Sequence, residues 1–293
     1  MRIYTSRSTL LITVTLYYND DNSTKKSEKM EAAMNNRNKQ KIMIAKDVLD
    51  QLEFKVVGAS VGGSVVRGEA DEFSDLDLTI CTDTTDRFKR DFFYADEIIQ
   101  LEVIPLKHLP NKNTMINLPW DHRFIYEMSV IKDETDQLIP IKRWATHYFS
   151  TKNGKKKMLQ QVNQLVSKRK EYAFACIKEQ QLYSATNAAL GAWTEAGFLY
   201  LFLDQQTLAT DALISKIKQL KSHLKIFKEV APFQDLGNHE ADLWDIYDSI
   251  KKFRAYLRNK HNENLFMLAK TQDVLCQRKA QRLINQSDYY HLI

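Results

Sequence analysis

Two aspartates separated by one residue, Asp75 and Asp77, are the residues of this sequence best suited to chemistry. They open the run Asp-Leu-Asp-Leu-Thr-Ile, whose alternation predicts a strand. Residues i and i+2 of a strand share a face, so both carboxylates point one way while Leu76, Leu78 and Ile80 point the other way. Neighbouring carboxylates directed inward need neutralisation. A divalent cation that prefers hard oxygen ligands, such as magnesium, provides it.

A glycine-rich turn precedes this pair. Gly62-Gly63-Ser64 follows a β-prone run, and ten residues separate Ser64 from Asp75. Glycine lets the backbone approach a ligand closely, and the Ser64 hydroxyl together with backbone N–H groups can hold phosphate oxygens. Carboxylates that bind metal beside a turn that holds phosphate are the arrangement that phosphoryl and nucleotidyl transfer require. The alternative interpretation is a hairpin with aspartates that cap a strand.

The segment from Gly62 to Leu78 resembles the signature of the nucleotidyltransferase superfamily typified by DNA polymerase beta. The full sequence of this segment is most similar to the small-molecule branch of the superfamily, the aminoglycoside and lincosamide nucleotidyltransferases. Arg123, Tyr126 and the acidic turn after them extend a looser resemblance over residues 55–145. The resemblance implies an α/β fold with a mixed sheet and flanking helices, followed by an all-helical C-terminal domain, with the active site in the cleft between them.

The same resemblance implies a reaction. A nucleoside monophosphate, AMP from ATP, would move to a hydroxyl of a small acceptor such as an aminoglycoside or lincosamide, with release of pyrophosphate. Asp75 and Asp77 would bind two magnesium ions. Gly63, Ser64 and Arg67 would contact the triphosphate.

A third acidic residue on a neighbouring strand completes the metal site in this superfamily, and Glu102 is the candidate. It stands between two apolar residues in the middle of a predicted strand over residues 97–104. Glu102 is also the best available group to accept the proton of the acceptor hydroxyl. The alternative is a solvent-facing glutamate on an edge strand. Asp96 and Glu97, at the start of the strand, are reserve candidates.

Cations form a second group of candidate ligands. Arg67 either faces the phosphates or pairs with Glu69 or Asp71. Two basic segments in the C-terminal half have three possible roles. They form solvated helix faces, they supply cations that reach the triphosphate, or they line an RNA groove. They comprise Lys155, Lys156, Lys157, Lys168, Arg169 and Lys170, and Lys251, Lys252, Arg254, Arg258 and Lys260.

Hydrophobic periodicity and turn residues predict the elements of the N-terminal half. They are a helix over 27–52, a strand over 54–61, the turn and strand of the signature, a loop or short helix over 83–90, a strand over 97–104, a proline-containing loop over 105–121 and a strand over 124–131.

A change of composition over residues 150–154 predicts a domain boundary. Residues 1–150 form the nucleotidyltransferase catalytic domain, with 1–30 as an added or disordered extension, and residues 151–293 form a helical substrate-binding domain. Helices are predicted over 158–166 and 172–203, and further ones over 211–224 and 241–283 on either side of a turn at 232–237. Trp193 and Glu195 on the second helix are core residues or line an acceptor pocket.

Length and composition are those of an ordinary soluble chain with room for two domains: 293 residues and a formal charge of +5. That charge is compatible with a polyanionic ligand without requiring nucleic acid.

The three cysteines, an odd number far apart, indicate free thiols and a cytoplasmic location. No run of 18 apolar residues exists, which argues against a membrane span. The apolar run over 9–18 lacks the cleavage site of a signal peptide.

The expected partners are a nucleoside triphosphate and a small hydroxylated acceptor, with neither membrane nor nucleic acid. Two alternatives stay open: the same transfer to a protein or RNA hydroxyl, and a catalytically silent nucleotide-binding module. The acceptor, the base and a homodimeric state also stay open.

Overall fold

A computed structural model describes residues 36–84, 86–209, 213, 240–260 and 266–285 of the chain. These residues belong to one compact unit, Met34–Ile293. The predicted extension over 1–30 and the predicted turn at 232–237 lie outside the described residues, as does almost all of the helix predicted over 211–224. No helix in these ranges is long and apolar enough to cross a membrane.

Five strands of the described residues form one mixed sheet in the order β3-β4-β2-β1-β5. The strands are β1 (Val56–Val61), β2 (Leu76–Thr82), β3 (Phe88–Tyr94), β4 (Glu97–Pro105) and β5 (Ser129–Asp133). The central pair β2 and β4 is parallel, and the other neighbours are antiparallel. The predicted α/β class, with flanking helices and an all-helical C-terminal region, is confirmed.

One face of this sheet is apolar because apolar and polar residues alternate along β2 and β4. It packs against helix α1 (Asn36–Asp50) through a cluster that includes Ile44, Ala45, Val48, Leu76, Leu78, Ile80, Ile99, Leu101 and Val103. Burial of each large aliphatic side chain contributes about 1.5–3 kcal/mol. The other face of β2 and β4 therefore carries the polar residues, and it faces a cleft.

The helices of the structure follow in chain order. They are α2 (Gly63–Arg67), α3 (Lys112–Asn117), α4 (Leu138–Ser150), α5 (Lys152–Lys178), α6 (Leu182–Gln205), α7 (Glu240–Lys260) and α8 (Lys270–Asn285), with 3-10 turns at Leu106–His108, Arg123–Tyr126 and Phe266–Leu268. A second apolar cluster joins Trp120 and Phe149 to Met158 and Phe202. It draws residues from both sides of the boundary predicted at 150, and the division into two domains stays a prediction.

Three predicted elements are wrong. The loop over 83–90 runs into strand β3, an edge strand whose first three side chains are exposed, so apolar alternation does not reveal it. The strand over 124–131 begins only at Ser129, after a 3-10 turn. Residues 172–178 belong to α5, because the break between the long helices falls at 179–181, where Gln180 has a left-handed φ of 58°.

Candidate active site

The two aspartates converge on one face of the sheet. Asp75 directly precedes β2 and Asp77 is its second residue. In register with Asp77 on the parallel strand β4 lies Gln100. With its amide nitrogen turned toward the carboxylates, Gln100 donates to Asp77 Oδ1 and to Asp75 Oδ2, at 3.1 Å each. Two carboxylate oxygens that share one donor are close enough to bind a common ligand.

The glycine turn adjoins this pair. The backbone N–H of Gly62 donates to the carbonyl oxygen of Asp77 at 3.0 Å. Gly63 adopts φ 64°, and a Cβ at that position would lie 2.2 Å from Asp77 Oδ2. Only glycine fits both the conformation and the space. The structure therefore brings Gly63, Ser64 and the two aspartates together along one cleft of about 610 Å³.

The carboxylates of Asp75 and Asp77 repel each other, and the nearby cations do not offset this repulsion fully. Asp77 keeps some contact with solvent, yet burial of its carboxylate, together with repulsion from Asp75, raises its pKa to about 6. Lys279 and Arg67 oppose the shift without cancelling it. A cation bound between the carboxylates would remove the repulsion.

The carboxylate pair fits magnesium in one specific way. The described residues contain no group of three His, Cys, Asp or Glu side chains placed to hold a metal. Magnesium seldom uses an all-protein cage; it binds through one or two carboxylates plus the phosphates of its substrate. Asp75 and Asp77 supply such a pair beside a turn suited to phosphate.

Glu102 lies further along the same face. It is in register with Thr79, two residues beyond Gln100 on β4. Its Oε1 accepts from Arg87 at 2.7 Å, and its Oε2 is 3.3 Å from the ammonium of Lys89. Glu102 lines the cleft, and its role as third metal ligand stays a prediction.

The reserve candidates lie elsewhere. Glu97 is on the apolar face, buried, and pairs with Arg37 and Lys41. Asp96 is in the turn between β3 and β4, where its carbonyl accepts from Arg278 at 3.3 Å.

Arg67 is held by two glutamates. Its Nε is 2.7 Å from Glu69 Oε2, and its NH1 is 3.0 Å from Glu127 Oε2. Glu127 is buried, and its other oxygen accepts from the N–H of Leu208 at 2.6 Å. The ion pair with Glu69 is one of the two alternatives predicted for Arg67, whereas the sequence does not indicate the ion pair with Glu127. Contact between Arg67 and phosphate stays a prediction.

Helix α8 supplies site residues that sequence reasoning missed. Lys279 Nζ lies 3.5 Å from Asp75 Oδ2, and Arg282 NH1 lies 3.8 Å from Asp71 Oδ2. Both cations line the cleft. Gln272 donates to Asp91 of β3. No local motif marks α8, which reaches the cleft only through the fold.

The other predicted ligands lie away from the cleft. Arg254 and Arg258 both pair with Asp273, which joins α7 to α8. Glu195 accepts from the indole N–H of Trp120 at 2.7 Å, within the second apolar cluster. Trp193 packs beside Leu201 and Leu213. The cleft is lined instead by Asp121, His122 and Phe124 from the segment before β5.

Residues 42–134 match the family of nucleotidyltransferase domains. The match spans the glycine turn, both aspartates and Glu102, so residues 42–134 resemble a nucleotidyltransferase domain, which supports nucleotidyl transfer in general as the activity. Among solved structures, a nucleotidyltransferase-like protein from Exiguobacterium sibiricum 255-15 is 11% identical, with a TM-score of 0.34 over 87% of this chain and 78% of that one. No curated protein matches the sequence.

Proposed function

We propose that the protein transfers a nucleoside monophosphate, AMP from ATP, to a hydroxyl of a small acceptor in a magnesium-dependent reaction that releases pyrophosphate. One observation carries the proposal: Asp75 and Asp77 converge on one donor directly beside Gly63. The resemblance to aminoglycoside and lincosamide nucleotidyltransferases names the class of acceptor.

Each side chain then has a role. Asp75 and Asp77, joined by Glu102, would hold magnesium, as two ions. Bound there, magnesium would lower the pKa of the acceptor hydroxyl and neutralise charge on the phosphates. The acceptor oxygen forms its bond to the α-phosphorus as the bond to pyrophosphate breaks, and Glu102 accepts the proton.

The triphosphate lies along the glycine turn and α8. Gly63, the Ser64 hydroxyl and the Arg67 guanidinium orient the phosphates. Lys279 adds a cation from the other side of the cleft. Its 3.5 Å separation from Asp75 is an ion pair longer than an ordinary hydrogen bond, and the side chain is 43% exposed. It can therefore turn from Asp75 to a phosphate oxygen at little cost.

The acceptor binds near the segment before β5. Asp121 and Phe124 line the cleft and offer a carboxylate and an exposed aromatic ring. This combination suits an amino sugar, whose ammonium groups pair with carboxylates and whose ring packs on aromatic faces. Modification of an antibiotic hydroxyl would make the protein a resistance enzyme.

The setting follows from the reactants. ATP and free thiols both belong to a reducing cytoplasm, and Cys81, Cys176 and Cys276 are unpaired. We expect no nucleic-acid or membrane partner; a homodimer is compatible with the proposal.

The direct experiment incubates the protein with [α-³²P]ATP, magnesium and a panel of aminoglycosides and lincosamides, and measures both labelled product and pyrophosphate. We expect label on a small acceptor, and a loss of more than about a hundredfold in Asp77→Ala. Label on a protein or RNA would move the proposal to those acceptors. Turnover that persists in Asp77→Ala would refute the site.

A further inference from the structure

A buried lysine on α1 contacts the loop that carries Asp75. The ammonium of Lys41 has no solvent exposure; it donates to the carbonyl of Ser74 at 2.8 Å and to Glu97 Oε2 at 2.6 Å. Burial lowers the pKa of Lys41, against the hydrogen bond and charge of Glu97. Lys41 stands directly before residues 42–134, outside the segment that matches the family.

The contacted loop is irregular and holds the first carboxylate. Residues 68–75 connect α2 to β2, and Ser74 directly precedes Asp75. A second side chain of α1 holds the same loop, because Asn38 Oδ1 accepts from the N–H of Ala70 at 3.2 Å. Asn38 and Lys41 are three residues apart and thus share a helix face. One face of α1 therefore holds this segment at two points, Ala70 and Ser74.

Stability alone does not account for a charge at this position. Replacement of a buried ion pair by apolar residues of similar volume is often neutral or stabilising. The Lys41–Glu97 pair does what an apolar pair cannot: its ammonium fixes the carbonyl of one residue, Ser74. The next residue directs its carboxylate into the cleft.

We propose that Lys41 is a positioning residue for nucleotidyl transfer: paired with Glu97, it fixes the carbonyl of Ser74 and so the direction of the Asp75 carboxylate. The inference rests on the proposed function. A displacement of about 1 Å at a reacting group can cost about a hundredfold in rate. Loss of the anchor therefore weakens metal binding and turnover, with little effect on the unfolding free energy once Glu97 is also neutralised.

The test compares Lys41→Met, the double variant Lys41→Met with Glu97→Met, and the control Arg37→Gln. The double variant leaves no unpaired charge, which keeps the experiment valid if the single variant does not fold. Arg37 pairs with Glu97 and donates to Gln40 of the same helix, and within the described residues it has no hydrogen bond to Ser74, so Arg37→Gln removes a partner of Glu97 and leaves the contact between Lys41 and Ser74. Three quantities are measured: the unfolding free energy, Mn²⁺ affinity by electron paramagnetic resonance without nucleotide, and kcat and KM for ATP.

We expect the double variant to fold, to bind Mn²⁺ about tenfold more weakly and to lose at least about tenfold in kcat, with KM for ATP nearly unchanged. Arg37→Gln should bind Mn²⁺ like the wild type. A folded double variant with wild-type Mn²⁺ affinity and kcat overturns the positioning role. If the wild type binds Mn²⁺ but transfers no nucleotide, while the double variant binds Mn²⁺ more weakly, positioning stands and the proposed reaction fails.

Discussion

Replacement of Asp77 by asparagine should move stability and activity in opposite directions. The raised pKa, from an ordinary 3.8 to about 6, means that the ionised carboxylate destabilises the metal-free fold by up to about 3 kcal/mol, a penalty that the hydrogen bond from Gln100 reduces. Asparagine keeps the shape and an oxygen for Gln100 but cannot ionise. Asp77→Asn should therefore raise the unfolding free energy of the metal-free protein at pH 7.5 by up to about 3 kcal/mol. It should also lower turnover by more than about a hundredfold, a loss of at least about 2.7 kcal/mol of transition-state stabilisation.

The pH dependence identifies the cause. Because the pKa of Asp77 is higher in the folded state, its penalty is absent below the unfolded pKa, accumulates from about pH 4 to pH 6, and is complete above pH 6. At pH 5 the advantage of Asp77→Asn should thus fall to about half its value at pH 7.5. Magnesium or Mn²⁺ should stabilise the wild type and not the variant, since the cation neutralises a charge that only the wild type has.

Urea denaturation at pH 5.0 and 7.5, with and without Mn²⁺, provides these free energies, and pyrophosphate release provides turnover. A variant no more stable than the wild type at pH 7.5 would refute the argument from burial. A variant with near-normal turnover would refute the argument from metal binding. The two failures are independent, so the experiment separates the electrostatics of the site from its chemistry.

The remaining predictions concern the two unproven ligands. Glu102→Gln should lower turnover and Mn²⁺ affinity by at least about tenfold if the carboxylate binds metal, whereas Lys89→Gln, which removes only an exposed partner of Glu102, should leave both unchanged. Lys279→Gln should raise KM for ATP by about tenfold with a smaller effect on Mn²⁺ affinity, since it removes a phosphate contact. Its control is Arg278→Gln, at the adjacent half-buried position, whose side chain donates to the carbonyl of Asp96 and does not line the cleft.

Each of these results has a clear opposite. Equal turnover in Glu102→Gln and wild type would confine Glu102 to its ion pairs with Arg87 and Lys89. A higher Mn²⁺ affinity in Lys279→Gln, with an unchanged KM, would show that the ammonium competes with the metal at Asp75 and does not serve the nucleotide.

The sequence predicts those site residues whose placement depends only on local structure, such as strand alternation and turns. Asp75 and Asp77 share a face through strand alternation, and Gly63 is a turn glycine a short distance upstream. Gln100 faces Asp77 only because β2 and β4 pair in parallel in one particular register. That register depends on the whole sheet, so an isolated strand pattern cannot reveal it. It also explains why Glu102, the conspicuous acid of β4, lies two residues beyond the pair.

Other residues were hidden because tertiary packing overrides residue type. Lys41 is a lysine with no exposed surface, although its charge predicts a solvated helix position. Lys279 reaches Asp75 across about two hundred residues of chain, through the packing of α8 on the sheet face. The edge strand β3 has one neighbour and exposed side chains, so its sequence lacks the apolar alternation that revealed β2.

The buried carboxylate of Glu127 links the glycine turn to the C-terminal half of the chain. One of its oxygens holds Arg67, at the end of the helix that follows Gly63, and the other holds the backbone N–H of Leu208, just beyond α6. A fragment cut near residue 150 would lose the second partner and would expose Trp120 and Phe149 to water. The glycine turn is thus anchored through Arg67 and Glu127 to a residue outside the family-matched segment, so a fragment that keeps this anchor has to extend past α6 to Leu208.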